Sequence, residues 1–508
     1  MKTFRFSVAN GSFSWLRKMN AFPFFAFLLP VFYILHGFWT YFDFVSAKTI
    51  WLMVAEYTLA LLIIGGVLGL LLVNFKKGLV AASVLLFVNF YLTPFNDELR
   101  RLFGERWFLQ QSTWLVVLLI LFILFLWRFR KLAKINLRLF RFLNILFILL
   151  IVLDLGMFML RPKQEIPLKA GIAKLTAGLE PVVDRLPNVY FILLDEYAGR
   201  ESLKKWMNFD NSAFVSDLRS RGFFVADSSL ANYNSTLYSM GSIWNLEYLP
   251  VSDADTSFKS DAGMAFRYIA DAFLPEFLIS QGYSFYNNSW FYMSKAVRMQ
   301  NPSYGPSERG FISSQTFLNR YRRNGLLSLA LKLQWPWLVS WAKDENRHYN
   351  MAVRKNLMEF SAASLPTPTF VYTHFAMPHY PYFFDRNGQP YQTESLLKIK
   401  DTSRIHYVEY LQYCNREVLE MVDSLKERNN GRFQIFIVSD HGFRKLYGDE
   451  WGSAAFDNLF AFYDSKVDNQ PFPHQRVANV NIFRYWINNT FNASLPILPD
   501  STLRVVFD

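Results

Sequence analysis

Two apolar runs, far apart in the chain, end on residues suited to hold a metal ion. Asn188-Val189-Tyr190-Phe191-Ile192-Leu193-Leu194 closes on Asp195. Phe433-Gln434-Ile435-Phe436-Ile437-Val438-Ser439 runs into Asp440-His441-Gly442. A divalent ion that clamps a phosphoryl oxygen or activates a nucleophile takes anionic oxygens and imidazole, so Asp195, Asp440 and His441 are read as metal ligands. Gly442 lets the chain turn sharply after them. Taken singly each signal is weak: a strand-end Asp is commonly a helix cap, and Asp-His-Gly recurs by chance. Their order on two strands of one sheet gives them force together.

A nucleophile is sought where a helix opens, in Asn232-Tyr233-Asn234-Ser235-Thr236-Leu237-Tyr238-Ser239-Met240. The dipole and free N–H groups of a helix N-terminus favour an anion, and a metal lowers the pKa of a hydroxyl bound to it. Ser235 and Thr236 both suit this role, and either serves equally well as a plain cap. The third element is Thr373-His374-Phe375-Ala376-Met377-Pro378-His379-Tyr380-Pro381. Its prolines stop a helix, so it is expected to leave its strand and turn over the sheet edge. There His374 and His379 are candidates to bind a phosphate oxygen, ligate a second metal or protonate a leaving group. His36, His348, His406 and His474 lack comparable surroundings and are read as structural. The single cysteine, Cys414, excludes a disulfide framework and, in a helical stretch, reads as a buried thiol.

These residues need a sheet to bring them together. After residue 186, strand patterns at 188–195, 223–226, 369–375, 433–440 and 458–463 alternate with helical patterns at 201–207, 212–221, 235–244, 401–428 and 481–491. That order predicts an α/β fold with a largely parallel sheet covered on both faces, its ligands at strand C-terminal ends. The less regular 251–350 is read as a helical insertion lining a cleft. Residues 1–160 differ in kind. Apolar segments at 21–41, 50–73, 79–95, 112–127 and 142–160 approach the ~20 residues a bilayer requires, which predicts five membrane-spanning helices. Glu56 and Asp154 lie inside them and are read as interfacial or hydrogen-bonded to a neighbouring helix. A connector at 161–186 follows, then a catalytic domain at 187–508.

Charge assigns sides. Residues 1–160 hold 16 Lys/Arg against 6 Asp/Glu, a net +10, whereas the rest of the chain is 37 against 35, a net +2. The basic excess therefore orients a membrane protein and does not mark a nucleic-acid binder. Lys2, Arg5, Arg17, Lys18, Lys76, Lys77 and the basic run from Arg128 to Arg141 fall on one side. Positive loops stay cytoplasmic, so the N-terminus is expected inside and residues 161–508 outside.

Three stretches give the second half a family resemblance: 187–197, 232–249 with Thr236, and Ser439-Asp440-His441-Gly442. The Met377-Pro378-His379-Tyr380-Pro381 run and 483–499 add to it. Over most of 187–500 the chain resembles the alkaline phosphatase/sulfatase superfamily. With its preceding spans it is similar to lipoteichoic acid synthases and lipid A phosphoethanolamine transferases. The resemblance implies an alkaline phosphatase-like α/β sandwich, a Thr236 nucleophile, and one or two divalent ions (Mn, Zn or Mg) held by Asp195, Thr236, Asp440 and His441. His379, and His374 with it, would face the substrate. It also implies a membrane-lipid donor of a phosphoethanolamine- or phosphoglycerol-type headgroup, with a glycan or lipid acceptor. The hydrolytic counterpart, a sulfatase-like phosphodiesterase or esterase, and an inactive envelope-binding fold are the alternatives. No Cys/Ser-x-Pro-x-Arg motif lies near Thr236, which argues against formylglycine-based sulfate hydrolysis. The single cysteine departs from the disulfide-rich outer domains of phosphoethanolamine transferases. Glu196 replaces the second Asp of many sulfatases, leaving one or two metals open.

Overall fold

The computed structural model describes residues 22–41, 45–104, 106–109, 111–132, 137–160, 167–181, 186–250, 257–259, 262–299, 308–321, 335–362, 368–445, 454–466 and 470–506. The chain forms two compact units: Met1–Lys163 with Pro306–Gln334, and Gln164–Gly305 with Trp335–Asp508. The basic residues Lys2, Arg5, Arg17, Lys18 and Lys134, and connector residues 161–166 and 182–185, lie outside the described residues.

The first unit contains α1 (Phe25–Tyr41), α2 (Ala47–Leu71), α3 (Phe75–Phe103), α4 (Gln111–Lys131) and α5 (Leu137–Leu160). Four of these, α2 to α5, are long and apolar enough to cross a membrane. The described part of α1 is shorter, at 17 residues with Pro30 inside. Helix α3 runs through Pro94 to Phe103, well past the apolar segment 79–95. Its last turns are held by polar contacts, to which hydropathy is blind. Asn96 donates to the Leu109 carbonyl and accepts from Trp114 Nε1, and Arg100 donates to the same carbonyl. Helices α2 and α3 pack closely through small residues. A Cβ on Gly78 would lie 2.1 Å from the Gly65 carbonyl oxygen.

The acids inside this unit have partners. Asp154 on α5 meets His36 on α1 at 3.2 Å. Glu56 on α2 is held by both Nη groups of Arg309, at 2.8 and 3.1 Å. Arg309 lies on the first of two short helices, Glu308–Ser313 and Phe317–Arg320, which together pack on α1, α2 and α3. They are pinned by Arg320 to Asp97 at 2.8 Å, by the Leu318 N–H to Asn89, and by the Tyr33 hydroxyl to the Ile312 carbonyl. The stretch 251–350 is thus not one cleft-lining insertion. Residues 308–321 join the first unit, and Ser284–Asn288 is a strand of the sheet in the second.

In the second unit the strands are β1 (Asn188–Asp195), β2 (Phe224–Val225), β3 (Ser228–Leu230), β4 (Ser257–Lys259), β5 (Ser284–Asn288), β6 (Val297–Arg298), β7 (Thr369–Pro378), β8 (Phe433–Ser439), β9 (Phe460–Asp464), β10 (Arg476–Ala478) and β11 (Arg504–Val506). Seven form one sheet in the order β2-β9-β8-β1-β7-β5-β6, while β3 pairs with β10 and β4 with β11. From β8 through β6 the pairing is parallel; β9 runs antiparallel to β8 and β2.

Side chains alternate across a strand, and here the alternation positions the chemistry. Tyr190, Ile192, Leu194, Val371, Phe375, Ile435 and Ile437 cluster on one face with Leu411, Val418 and Leu425 of the helix Arg404–Arg428. Phe191, Tyr372 and Phe436 face the other way. They pack on Trp244 of α6 (Thr236–Asn245) and on Phe483 of α7 (Ile482–Phe491), with ring centroids 4.7–5.6 Å apart. Even steps onward from Phe191, Tyr372 and Phe436 lead to Asp195, His374 and Asp440. All three therefore emerge on the face covered by α6, whose first residue is Thr236.

Candidate metal centre

One ligand atom each from Asp195, Asp440 and His441 lies within 4.8 Å of the others. His441 Nε2 is 3.4 Å from Asp440 Oδ2 and 3.8 Å from Asp195 Oδ1. All three side chains are buried. The turn that carries Asp440 and His441 is tied down by neighbouring side chains. Asn458 and Asn479 donate to the Ser439 carbonyl, and Asn479 also reaches the Asp440 carbonyl. Asp440 Oδ1 accepts the N–H groups of Glu196 and His441 at 3.0 and 2.9 Å. Gly442 is required for closeness and not for a special turn: a Cβ there would lie 2.1 Å from the Ala454 carbonyl oxygen. This corrects the sequence-based reason for that glycine.

The donor set fits a divalent cation. Asp195 Oδ1 and Asp440 Oδ2 are buried with no hydrogen-bond partner, an arrangement that costs free energy unless something positive sits there. His441 Nδ1 lies 2.8 Å from the Gly442 carbonyl. A carbonyl only accepts, so Nδ1 carries the proton and Nε2 turns its lone pair toward the two carboxylates, the orientation a metal-ligating imidazole adopts. Burial and the Arg444 guanidinium draw the His441 pKa down to about 4, keeping it neutral. Burial and the neighbouring Asp195 push Asp440 up to about 7. Burial also works to raise Asp195, but His379, His374 and His441 around it hold it below the usual carboxylate range. Oxygens plus one imidazole suit Mn²⁺, Mg²⁺ or Zn²⁺.

The Thr236 hydroxyl lies 3.3 Å from His441 Nε2, part-buried at the start of α6. The loop before it is fixed: Asn234 exchanges two hydrogen bonds with the backbone of Val505, and Asn232 accepts the Val480 N–H at 2.8 Å. Ser235 occupies the N-cap position, with extended φ −141° and ψ 128°, but makes no side-chain cap bond. The cap role expected of its hydroxyl is absent.

The two histidines of the third element part company. Strand β7 continues through Pro378, so His374 is not on a loop. It is buried within the sheet, with Nε2 3.7 Å from Asp195 Oδ2 and Nδ1 2.8 Å from the Tyr372 hydroxyl. His379 begins the loop and is part-buried, with Nε2 3.6 Å from Glu196 Oε2 and 3.1 Å from Arg444 Nη2. Arg444 is the residue whose part here sequence reasoning missed, whereas Glu196 is singled out there only for standing where many sulfatases carry a second Asp. Arg444 stands three residues past His441, a signal that was available. Glu196 adopts φ +63°, a left-handed conformation uncommon outside glycine. Its carboxylate meets the loop residues, Oε1 accepting the Arg444 N–H at 3.2 Å. A separate cavity of about 860 Å³, lined by Arg354, Phe375, Met377, Tyr410 and Tyr413, opens on the opposite face of the sheet and takes no part in this centre.

No known protein family matches the chain, and no curated protein does. Solved structures do match. The integral membrane lipooligosaccharide phosphoethanolamine transferase A from Neisseria meningitidis is 11% identical, with 92% of this chain and 93% of that chain covered and a TM-score of 0.36. The C-terminal periplasmic domain of EcEptC from Escherichia coli is 12% identical over 63% of this chain and 86% of that chain, TM-score 0.37. A 2-O GAG sulfatase is 10% identical over 63% of this chain and 73% of that chain, TM-score 0.36. At such low scores these likenesses decide no residue's role, which the side chains of this chain must decide.

Proposed function

We propose that the chain is a metal-dependent phosphotransferase at the outer face of a bacterial inner membrane. It would move a phosphate-linked headgroup from a membrane lipid to an envelope acceptor through a threonine intermediate. One observation carries this reading: the Thr236 hydroxyl, at a helix start, converges with the orphaned oxygens of Asp195 and Asp440 and with His441 Nε2. Asp195, Asp440, His441 and Thr236 would hold the ion. When bound, it would neutralise the buried carboxylates and lower the pKa of the hydroxyl.

The chain's own groups then account for two balanced steps. In the first, Thr236 Oγ1 forms a bond to phosphorus and the phosphorus–oxygen bond to the lipid glycerol breaks. The diacylglycerol leaves as an alcohol, its new proton matching the one Thr236 lost, and His379 is the residue assigned to hand it over. In the second, an acceptor hydroxyl attacks phosphorus, the bond between Thr236 Oγ1 and phosphorus breaks, and the proton the acceptor loses returns to Thr236. Two steps suit substrates that need not bind together. Hydrolysis is the same route with water in the second step.

In this reading the first unit makes five crossings, α1 among them. The N-terminus is cytoplasmic and the catalytic unit, 187–305 with 335–508, is periplasmic or otherwise extracytoplasmic. A reporter active only outside the cytoplasm should work when fused after residue 165 and be silent after Lys134. The test of function is product mass in membranes carrying the full chain. Transfer yields a headgroup-modified glycan or lipid; free headgroup alone turns the reading to hydrolysis; neither product removes the enzyme.

A further inference from the structure

We propose that Arg444 is the anion-binding residue of this centre and that it grips the phosphoryl oxygens of the incoming phosphate ester. The inference rests on the phosphotransferase reading and adds a residue and a ligand chemistry to it.

Its placement comes first. Arg444 stands two residues past the Asp440-His441-Gly442 turn, with the buried Phe443 between, so the fixed segment that sets the ligands also sets the root of its side chain. Its backbone N–H donates to Glu196 Oε1 at 3.2 Å, and Nε lies 3.6 Å from the same oxygen. Glu196 is itself immobilised. Its side chain is 1% exposed, its N–H donates to Asp440 Oδ1, and its carbonyl accepts the Tyr407 hydroxyl at 2.8 Å. A kinked, buried carboxylate thus holds one edge of the guanidinium. The other edge looks across the centre. Nη1 lies 3.4 Å from the Asn234 carbonyl, two residues before Thr236, and Nη2 lies 3.1 Å from His379 Nε2. The guanidinium therefore lies between the nucleophile's own loop and the histidine on the far rim, with a side chain 20% exposed.

The chemistry follows. A phosphate ester approaching Asp195, Glu196 and Asp440 meets three buried carboxylates. A bound cation offsets some of that charge at Thr236, but the oxygens pointing away from it need a second donor. A planar guanidinium offers paired N–H groups that match two phosphate oxygens, which an ammonium does not. The long 3.4 Å contact to the Asn234 carbonyl is the one a phosphoryl oxygen would replace.

The experiment uses the purified full chain in detergent and reads two things: calorimetric binding of inorganic phosphate, and lipid headgroup turnover. Arg444→Gln should weaken phosphate binding by about tenfold or more, as loss of a charge-assisted bidentate contact does, and raise KM for the lipid. Arg444→Lys should recover part of the binding, which also guards against a misfolded Gln variant. Thr236→Ala should stop turnover while still binding phosphate. Wild-type phosphate affinity in Arg444→Gln overturns the assignment of Arg444 and leaves the phosphotransferase reading standing. A wild-type chain that turns over lipid but binds no phosphate also overturns it. If the wild-type chain neither binds phosphate nor acts on lipid, the functional reading falls as well.

Discussion

The two units treat polar side chains inside an apolar setting in opposite ways. In the membrane-type unit they are paired off. Asp154 has His36, Glu56 has Arg309, Asn96 has Trp114, and Lys77 donates to the Arg130 and Leu132 carbonyls at the end of α4. Among the described residues of that unit only Thr93 Oγ1 is a buried polar side-chain atom without a partner. At the end of β1, β7 and β8 the reverse holds. Asp195 Oδ1, Glu196 Oε2, His374 Nε2 and Asp440 Oδ2 are all buried and unpartnered within one small region. Paired polar groups stabilise a fold, whereas converging orphans are a cost that a fold keeps for binding or chemistry.

The contrast is broken most easily by removing an orphan. Asp440→Asn should abolish turnover, a loss of several orders of magnitude, because a ligand fixes the ion's charge and position. The same change should raise the melting temperature of the metal-stripped protein at pH 8. The sign follows from the raised pKa of about 7. The folded state holds this proton more tightly than the unfolded state, so Asp440 withdraws stability as pH rises from about 4 to about 7. Asn carries no such charge. A melting temperature lowered by several degrees would mean that Asp440 is a structural residue.

A paired group should behave the other way. Glu56→Arg places two cations together in the first unit and should reduce the yield of folded protein in membranes. The double variant Glu56→Arg with Arg309→Glu should restore it. Restoration of neither yield nor activity would show that the pair is more than a structural tie. The smallest effect is expected at Ser235. Its hydroxyl makes no cap bond, so Ser235→Ala should cost less than the ~1 kcal/mol of a true cap and leave turnover within about twofold. Chemical denaturation and headgroup release check both numbers.

What the sequence makes legible follows from the same physics. Strands β1 and β8 are uninterrupted apolar runs that stop on acids, so Asp195, Asp440 and His441 stand out, and Thr236 marks a helix start. Strand β5, Ser-Phe-Tyr-Asn-Asn, carries too few apolar residues to be seen. Its Asn288 is satisfied by the distant Val353 carbonyl and its Asn287 by the nearby Phe291 carbonyl. The strand pattern 369–375 stops short because proline and histidine look like the end of a strand, yet β7 continues through Pro378. The association of Arg309 with Glu56 spans 253 residues and leaves no local pattern. The Glu196–Arg444 contact depends on a left-handed kink that no propensity favours for glutamate.

The central claim is that Thr236 forms the covalent intermediate. The direct measurement is to trap the full chain with a slow-leaving lipid analogue and to determine by mass analysis which residue of 223–266 carries the added headgroup phosphate. The account predicts it on Thr236, with no adduct and no turnover in Thr236→Ala and partial turnover in Thr236→Ser. The adduct on Ser235, or full activity in Thr236→Ala, would contradict it.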